Sequence, residues 1–284
     1  MSTRTRHHAI FHFLPRTLSG AAGAALLAAP LLAGLAAIWW TPYGTTTMDF
    51  AHRFAPPNAA HWLGTDEFGR DVLSRLMKGA LISMSISLET MLAASLLGAM
   101  LGAMAGYFRG PFERVMNTLT NALLAFPGIM LALGVMMTVG QNQTGLVTAL
   151  TLAFIPSIYR VARSSAFSVS RREFVEASVL MGNGTTYTLI RHVLPNCLSP
   201  LVVIATSVFG WSILSESALS FLGMGVPPPA PSWGNMLAAA RPFMATDTWL
   251  ALFPGLCIAG VLLGVNLLGD ALRDRFDPRT EARA

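Results

Sequence analysis

The sequence predicts an all-α polytopic membrane protein of six transmembrane helices. Three observations point to it. Of 284 residues, 53% are hydrophobic and only 12% charged, about half the charged share of an ordinary soluble domain. The mean hydropathy, +0.55, leaves too few polar side chains to cover a soluble surface. Six stretches also approach the roughly 20 apolar residues needed to cross hydrocarbon as a helix: 18–40, 81–106, 118–140, 144–163, 197–222 and 248–270. The same composition excludes a disordered chain, a coiled coil, a collagen and a disulfide scaffold. Cys197 and Cys257 lie in apolar runs and read as small buried hydrophobes.

Taken in order, residues 1–17 form a basic tail with Arg4, Arg6 and Arg16. His7, His8 and His12 lie in that tail and read as solvated rather than metal-binding. The first span, 18–40, is longer than the apolar region of a signal peptide and ends in the aromatic pair Trp39-Trp40, so a membrane helix is expected. Residues 41–80 form a long polar connection containing Trp62 and the run from Gly64 to Asp71. The second span carries Gly98, Gly102 and Gly106, a stripe where another helix of this chain or of a partner can approach closely. Gly260 and Gly264 repeat that spacing in the sixth span. Pro30, Pro127, Pro156 and Pro254 interrupt hydrogen-bond ladders and are hinge candidates. The run Pro227-Pro228-Pro229-Ala230-Pro231 predicts extended, polyproline-like chain in the connection 223–247.

Orientation follows from the basic residues. With residues 1–17 placed inside, 14 of the 19 Lys and Arg fall in inner segments. Arg53, Arg70, Arg75, Lys78 and Arg241 fall outside. That asymmetry predicts cytoplasmic termini, with residues 271–284 as the second tail. The net charge of +5 is thus read as an orientation signal and not as nucleic-acid binding.

The inner connection 164–196 is the most informative segment. Ser170 with Glu173 reads as a capping box starting a helix, and Gly182-Asn183-Gly184 as its end. Thr185 reads as the cap of a second short helix limited by Pro195. Within it, Glu176-Ala177-Ser178, then Gly182, then Leu194-Pro195 resemble the EAA motif of ABC importer permeases, with Ser178 and His192 departing from the usual Ala and Ile. Three further segments are similar to the dipeptide and oligopeptide (DppC/OppC-type) branch. They are His61–Asp66 continuing through Arg70–Arg75, Ala125-Phe126-Pro127-Gly128, and Leu219–Gly223 continuing to Pro231–Gly234.

The resemblance implies a type I importer (MetI-like) permease fold, with the core at 81–270 and the loop 164–196 docking on a separate ATPase. Glu173, Glu176, Ala177, Ser178, Gly182, Leu194 and Pro195 are then the coupling residues. It also implies a second homologous permease subunit, two cytoplasmic ABC ATPase subunits and an extracytoplasmic solute-binding protein, in a bacterial plasma membrane. ATP and Mg2+ would reside on the ATPases. The sequence has no G-x-x-x-x-G-K-[ST] phosphate loop, and its one lysine, Lys78, lies in an outer segment, so no ATP hydrolysis is expected of this chain. Short peptides are the expected cargo, with nickel or another small solute as the alternative within the family.

An ionisable residue inside the membrane costs at least about 2.5 kcal/mol, which marks it for attention. Glu216, flanked by Ser212, Ser215, Ser217 and Ser220, reads either as a polar wall of a translocation path, with Ser212 and Ser220, or as an interhelical hydrogen-bonding centre. Glu89 has the same two readings. Asn121 and Asn266 are expected to bond between helices. A proton-driven transporter using Glu216 and Glu89 as a relay is the rival class, but it leaves the loop 164–196 without a purpose.

Overall fold

The computed structural model describes residues 18–276. The expected tail 1–17, with its three histidines, and residues 277–284 lie outside the described residues. The helices are α1 (Leu18–Ala36), α2 (Val72–Phe108), α3 (Gly110–Ala125), α4 (Gly128–Val139), α5 (Gln143–Val169), α6 (Glu173–Leu180), α7 (Thr185–Thr188), α8 (Leu194–Phe221), α9 (Trp233–Ala240) and α10 (Trp249–Phe276). Among the described residues, five helical segments are long and apolar enough to cross a bilayer, or six if the bent pair α3–α4 counts as one span.

Several boundaries differ from expectation for local reasons. Helix α2 starts at Val72 and not near 81, because Asp71 caps it: its carboxylate accepts from the Ser74 backbone N–H at 2.8 Å and the Ser74 hydroxyl at 2.7 Å. The long connection expected at 41–80 is correspondingly shorter. Helix α5 runs on to Val169, where Ser170 bonds back to the Phe167 carbonyl at 3.0 Å. Helix continues through Pro30, Pro156 and Pro254, but at Pro127 the chain turns by 96°. Phe126 takes the extended backbone favoured before proline, which ends α3. The segment 227–231 contains a turn with a cis Pro228–Pro229 peptide and is not a uniform polyproline helix.

The core is α2 packed on α5 and α8, with α1 and α10 on the outer flank. Contact between α2 and α5 is close because the stripe has no side chains. A Cβ at Gly98 would lie 2.9 Å from the Ile158 Cβ, and one at Gly102 would lie 2.5 Å from the Tyr159 carbonyl oxygen. The stripe therefore packs within the subunit. Gly264 meets the backbone of Gly23 on α1, whereas Gly260 faces open space, so the two do not form one contact stripe. Helix α3 is tied to α5 along one face, where Glu113, Asn117 and Asn121 bond Arg163, Tyr159 and Arg160 at 2.7, 2.9 and 3.0 Å. Asn266 is exposed on α10 and does not make the expected interhelical bond.

Residues 41–71 form a polar cap at the N-terminal end of α2. Asp66 accepts from the Arg70 side chain at 2.7 Å, and Asp71 bonds His61 at 2.9 Å. Burial beside this network pushes the Glu67 carboxyl above its ordinary value.

Candidate coupling hairpin and buried carboxyl cluster

Helices α6 and α7 form a hairpin beyond the end of α5. Ser170 does not cap α6. It belongs to the end of α5, and the Arg172 carbonyl receives the Val175 and Glu176 N–H groups of α6 at 2.9 and 3.2 Å. Gly182 closes α6, with φ +83° and its N–H on the Val179 carbonyl at 2.9 Å, while the Asn183 N–H reaches the Ser178 carbonyl at 3.2 Å. These paired bonds satisfy carbonyls left open at the helix end, and glycine supplies the left-handed backbone at little cost. Thr185 is the first residue of α7, and Gly184 takes the cap position.

The turn is braced by a side chain that departs from the expected motif. The hydroxyls of Ser178 and Thr188 lie 3.2 Å apart, and the Asn183 amide donates to the Ser178 hydroxyl at 3.1 Å. Both hydroxyl residues are buried between the hairpin's limbs. Glu173, Glu176 and Ala177 are exposed on α6. Beside them Leu180 is 87% and Met181 74% exposed. Leu180 and Met181 thus form an exposed apolar tip on an otherwise braced hairpin.

Pro195 does not stop the second limb. Residues Leu189–Val193 form one π-helical turn, in which the Leu194 N–H bonds the Leu189 carbonyl. The wider turn makes room ahead of the proline, whose ring would otherwise press on a carbonyl of the preceding turn. The Asn196 amide then takes the His192 carbonyl at 2.6 Å. Thr185 to Phe221 is thus one helical rod of 37 residues, with Leu194 and Pro195 inside it. At 1.5 Å per residue it is about 55 Å long, well beyond the roughly 30 Å hydrocarbon core.

Near the other end of that rod lies Glu216. Its side chain is 0% exposed. It accepts from Ser220 at 2.8 Å and from Ser83 of α2 at 3.1 Å, with Ser217 at 3.5 Å. Ser83 in turn accepts the Trp233 N–H at 3.1 Å, joining the first residue of α9 to the cluster. Gly234 brings the α9 backbone onto α8, since a Cβ there would sit 2.6 Å from the Ser217 Cα. Ser212 lies deeper and bonds the Phe209 carbonyl of its own helix at 2.8 Å. Glu216, Ser212 and Ser220 therefore lie closed inside the subunit. Glu89 lies apart from them, exposed and bonded to Gln143 at 3.2 Å.

Sequence reasoning missed Ser83 and Trp233 because they lie 133 residues before and 17 residues after Glu216 in the chain. It also missed the guanidinium groups of Arg109 and Arg171, stacked 4.4 and 4.2 Å from the Phe167 ring beside the hairpin.

The described residues thus form a bundle of helices long and apolar enough to span a bilayer, with one exposed hairpin and closed interior polar groups. The chain belongs to the family described as binding-protein-dependent transport system inner membrane component, whose model matches residues 94–282. It is a permease subunit of an ABC importer, and importers of this kind work with ATPase and solute-binding partners. A protein of Brucella suis biovar 1 (strain 1330), named for a peptide transport system permease, is 40% identical over 94% of this chain and 90% of its own length. The di/tripeptide transport system permease protein DppC of Pseudomonas aeruginosa (strain UCBPP-PA14) is 37% identical over 88% of this chain and 84% of its own. Among solved structures, the inward-facing MetNI methionine ABC transporter matches with a TM-score of 0.58 at 18% identity, covering 71% of this chain and 95% of that one. That match supports the fold alone.

Proposed function

We propose that this permease moves short peptides inward across a bacterial inner membrane. It would pair with a second homologous permease subunit above two ATPase subunits that hold ATP and Mg2+. A solute-binding protein would deliver cargo to the outer face, and both termini of this chain would be cytoplasmic. The observation that carries the coupling mechanism is the unbroken rod from Thr185 to Phe221. Its inner end is one limb of the exposed hairpin, and Glu216 near its outer end is joined to α2 and α9. A displacement of the hairpin by the ATPases is passed along this continuous helix to the outer face, where α9 and the loop 223–247 meet the binding protein. The Glu216 cluster serves here as a fixed joint. Peptide cargo is supported by the names of the relatives.

The test is a pull-down from native membranes with Gly182→Pro beside wild type. A phosphate-loop ATPase is expected to co-purify with wild type and to be weakened in the variant. Equal recovery, together with normal ATP-driven peptide uptake in Gly182→Pro and Glu176→Lys, would overturn the coupling assignment.

A further inference from the structure

Helix α1 is clamped at two points by glycines that let backbones touch. A Cβ at Gly34 would lie 2.8 Å from the Leu81 backbone nitrogen on α2, and one at Gly23 would lie 2.8 Å from the Gly264 carbonyl oxygen on α10. Between these clamps α1 departs from α2 and leaves a crevice of about 520 Å³. Ala28, Leu31, Leu35, Met84, Leu88 and Phe209 are among its walls. Ser85 is the one hydroxyl in the lining, and it already donates to the Ile82 carbonyl at 2.9 Å. Water and peptide both need several polar partners, and the side chains lining this crevice offer only the lone pairs of that one hydroxyl.

The crevice runs along α1 from Ala24 to Leu35. That is about 16 Å at 1.5 Å per residue, or half of a roughly 30 Å hydrocarbon core, the depth of one leaflet. At the Gly34 end, α1 is followed by the exposed Trp39 and Trp40, side chains suited to the headgroup level. Lys78, one turn before Leu81, rises toward the same end. It makes no hydrogen bond or ion pair among the described residues. A long cation near a helix end carries its charge to the interface.

The geometry points to a bound phospholipid, with one acyl chain between α1 and α2 and its phosphate on Lys78. The permease complex, purified in detergent and stripped of lipid, is titrated with dioleoyl phosphatidylglycerol and read by native mass spectrometry. Wild type is expected to hold one saturable adduct that Ala28→Trp, which fills the crevice, lacks. Lys78→Gln should keep the adduct but bind phosphatidylglycerol about fivefold more weakly, the loss of one cation at a membrane surface. Equal adducts in wild type and Ala28→Trp would overturn the site. So would release of the second permease by Ala28→Trp with lipid retained, which would make the crevice a subunit seam. If Ala28→Trp does not accumulate, unchanged phosphatidylglycerol binding in Lys78→Gln overturns the proposal alone.

Discussion

At the residue scale, polar groups hold the ends of the long rod in place. Glu216 collects hydroxyl donors from two helices, so shortening it strands buried hydroxyls as well as a cavity. Glu216→Ala is expected to lower the melting temperature of the purified subunit by several degrees and to loosen α9. Increased hydrogen exchange at residues 232–240 would report the second effect, and unchanged exchange there would remove the joint. At the hairpin, Gly182→Ala forces a side chain into left-handed backbone at a cost of about 1–2 kcal/mol. It should weaken ATPase retention less than Gly182→Pro, in a graded series read by the same pull-down.

At the element scale, two helix pairs depend on missing side chains and one cap depends on charge. Gly102→Leu would drive a side chain into the Tyr159 backbone, which cannot move aside without shifting α5. The expected result is loss of folded protein from the membrane, measured by detergent extraction and size-exclusion recovery. Gly260→Leu, with open space before it, should be recovered normally. In the cap, burial raises the Glu67 carboxyl above its ordinary value of 4.5, so the folded form keeps the proton more readily than the unfolded one. Cap stability attributable to this group therefore falls as pH rises through the window above 4.5. Glu67→Gln should flatten that dependence, seen as hydrogen exchange of residues 45–70 that no longer increases with titration of this group.

At the scale of the whole molecule, transport requires two ends to move together. The rod from Thr185 to Phe221 joins those ends in one continuous helix, and in the proposed coupling the exposed Leu180 and Met181 are what the ATPase grips. Leu180→Asp should leave insertion and subunit stability unaltered, because the side chain touches little within the chain. Peptide uptake by the reconstituted complex should fall at least tenfold, and undiminished uptake would place the grip elsewhere on the hairpin.

The sequence by itself determined the membrane class, most of the spans and the position of the hairpin. These follow from contiguous runs and from short spacings such as Glu176 to Gly182, which one stretch of chain specifies alone. Tertiary structure decided what those residues face. Ser170 looked like a helix start, but α5 extends far enough to take it as an end. Pro195 looked like a stop, but one π turn carries the helix through it. Glu216 had two readings along its own helix, because a period of 3.6 residues gives a face and not a neighbour. Only the packing of Ser83 and Trp233 from distant segments closes that face, and only the path of α1 between Gly34 and Gly23 opens the crevice beside α2.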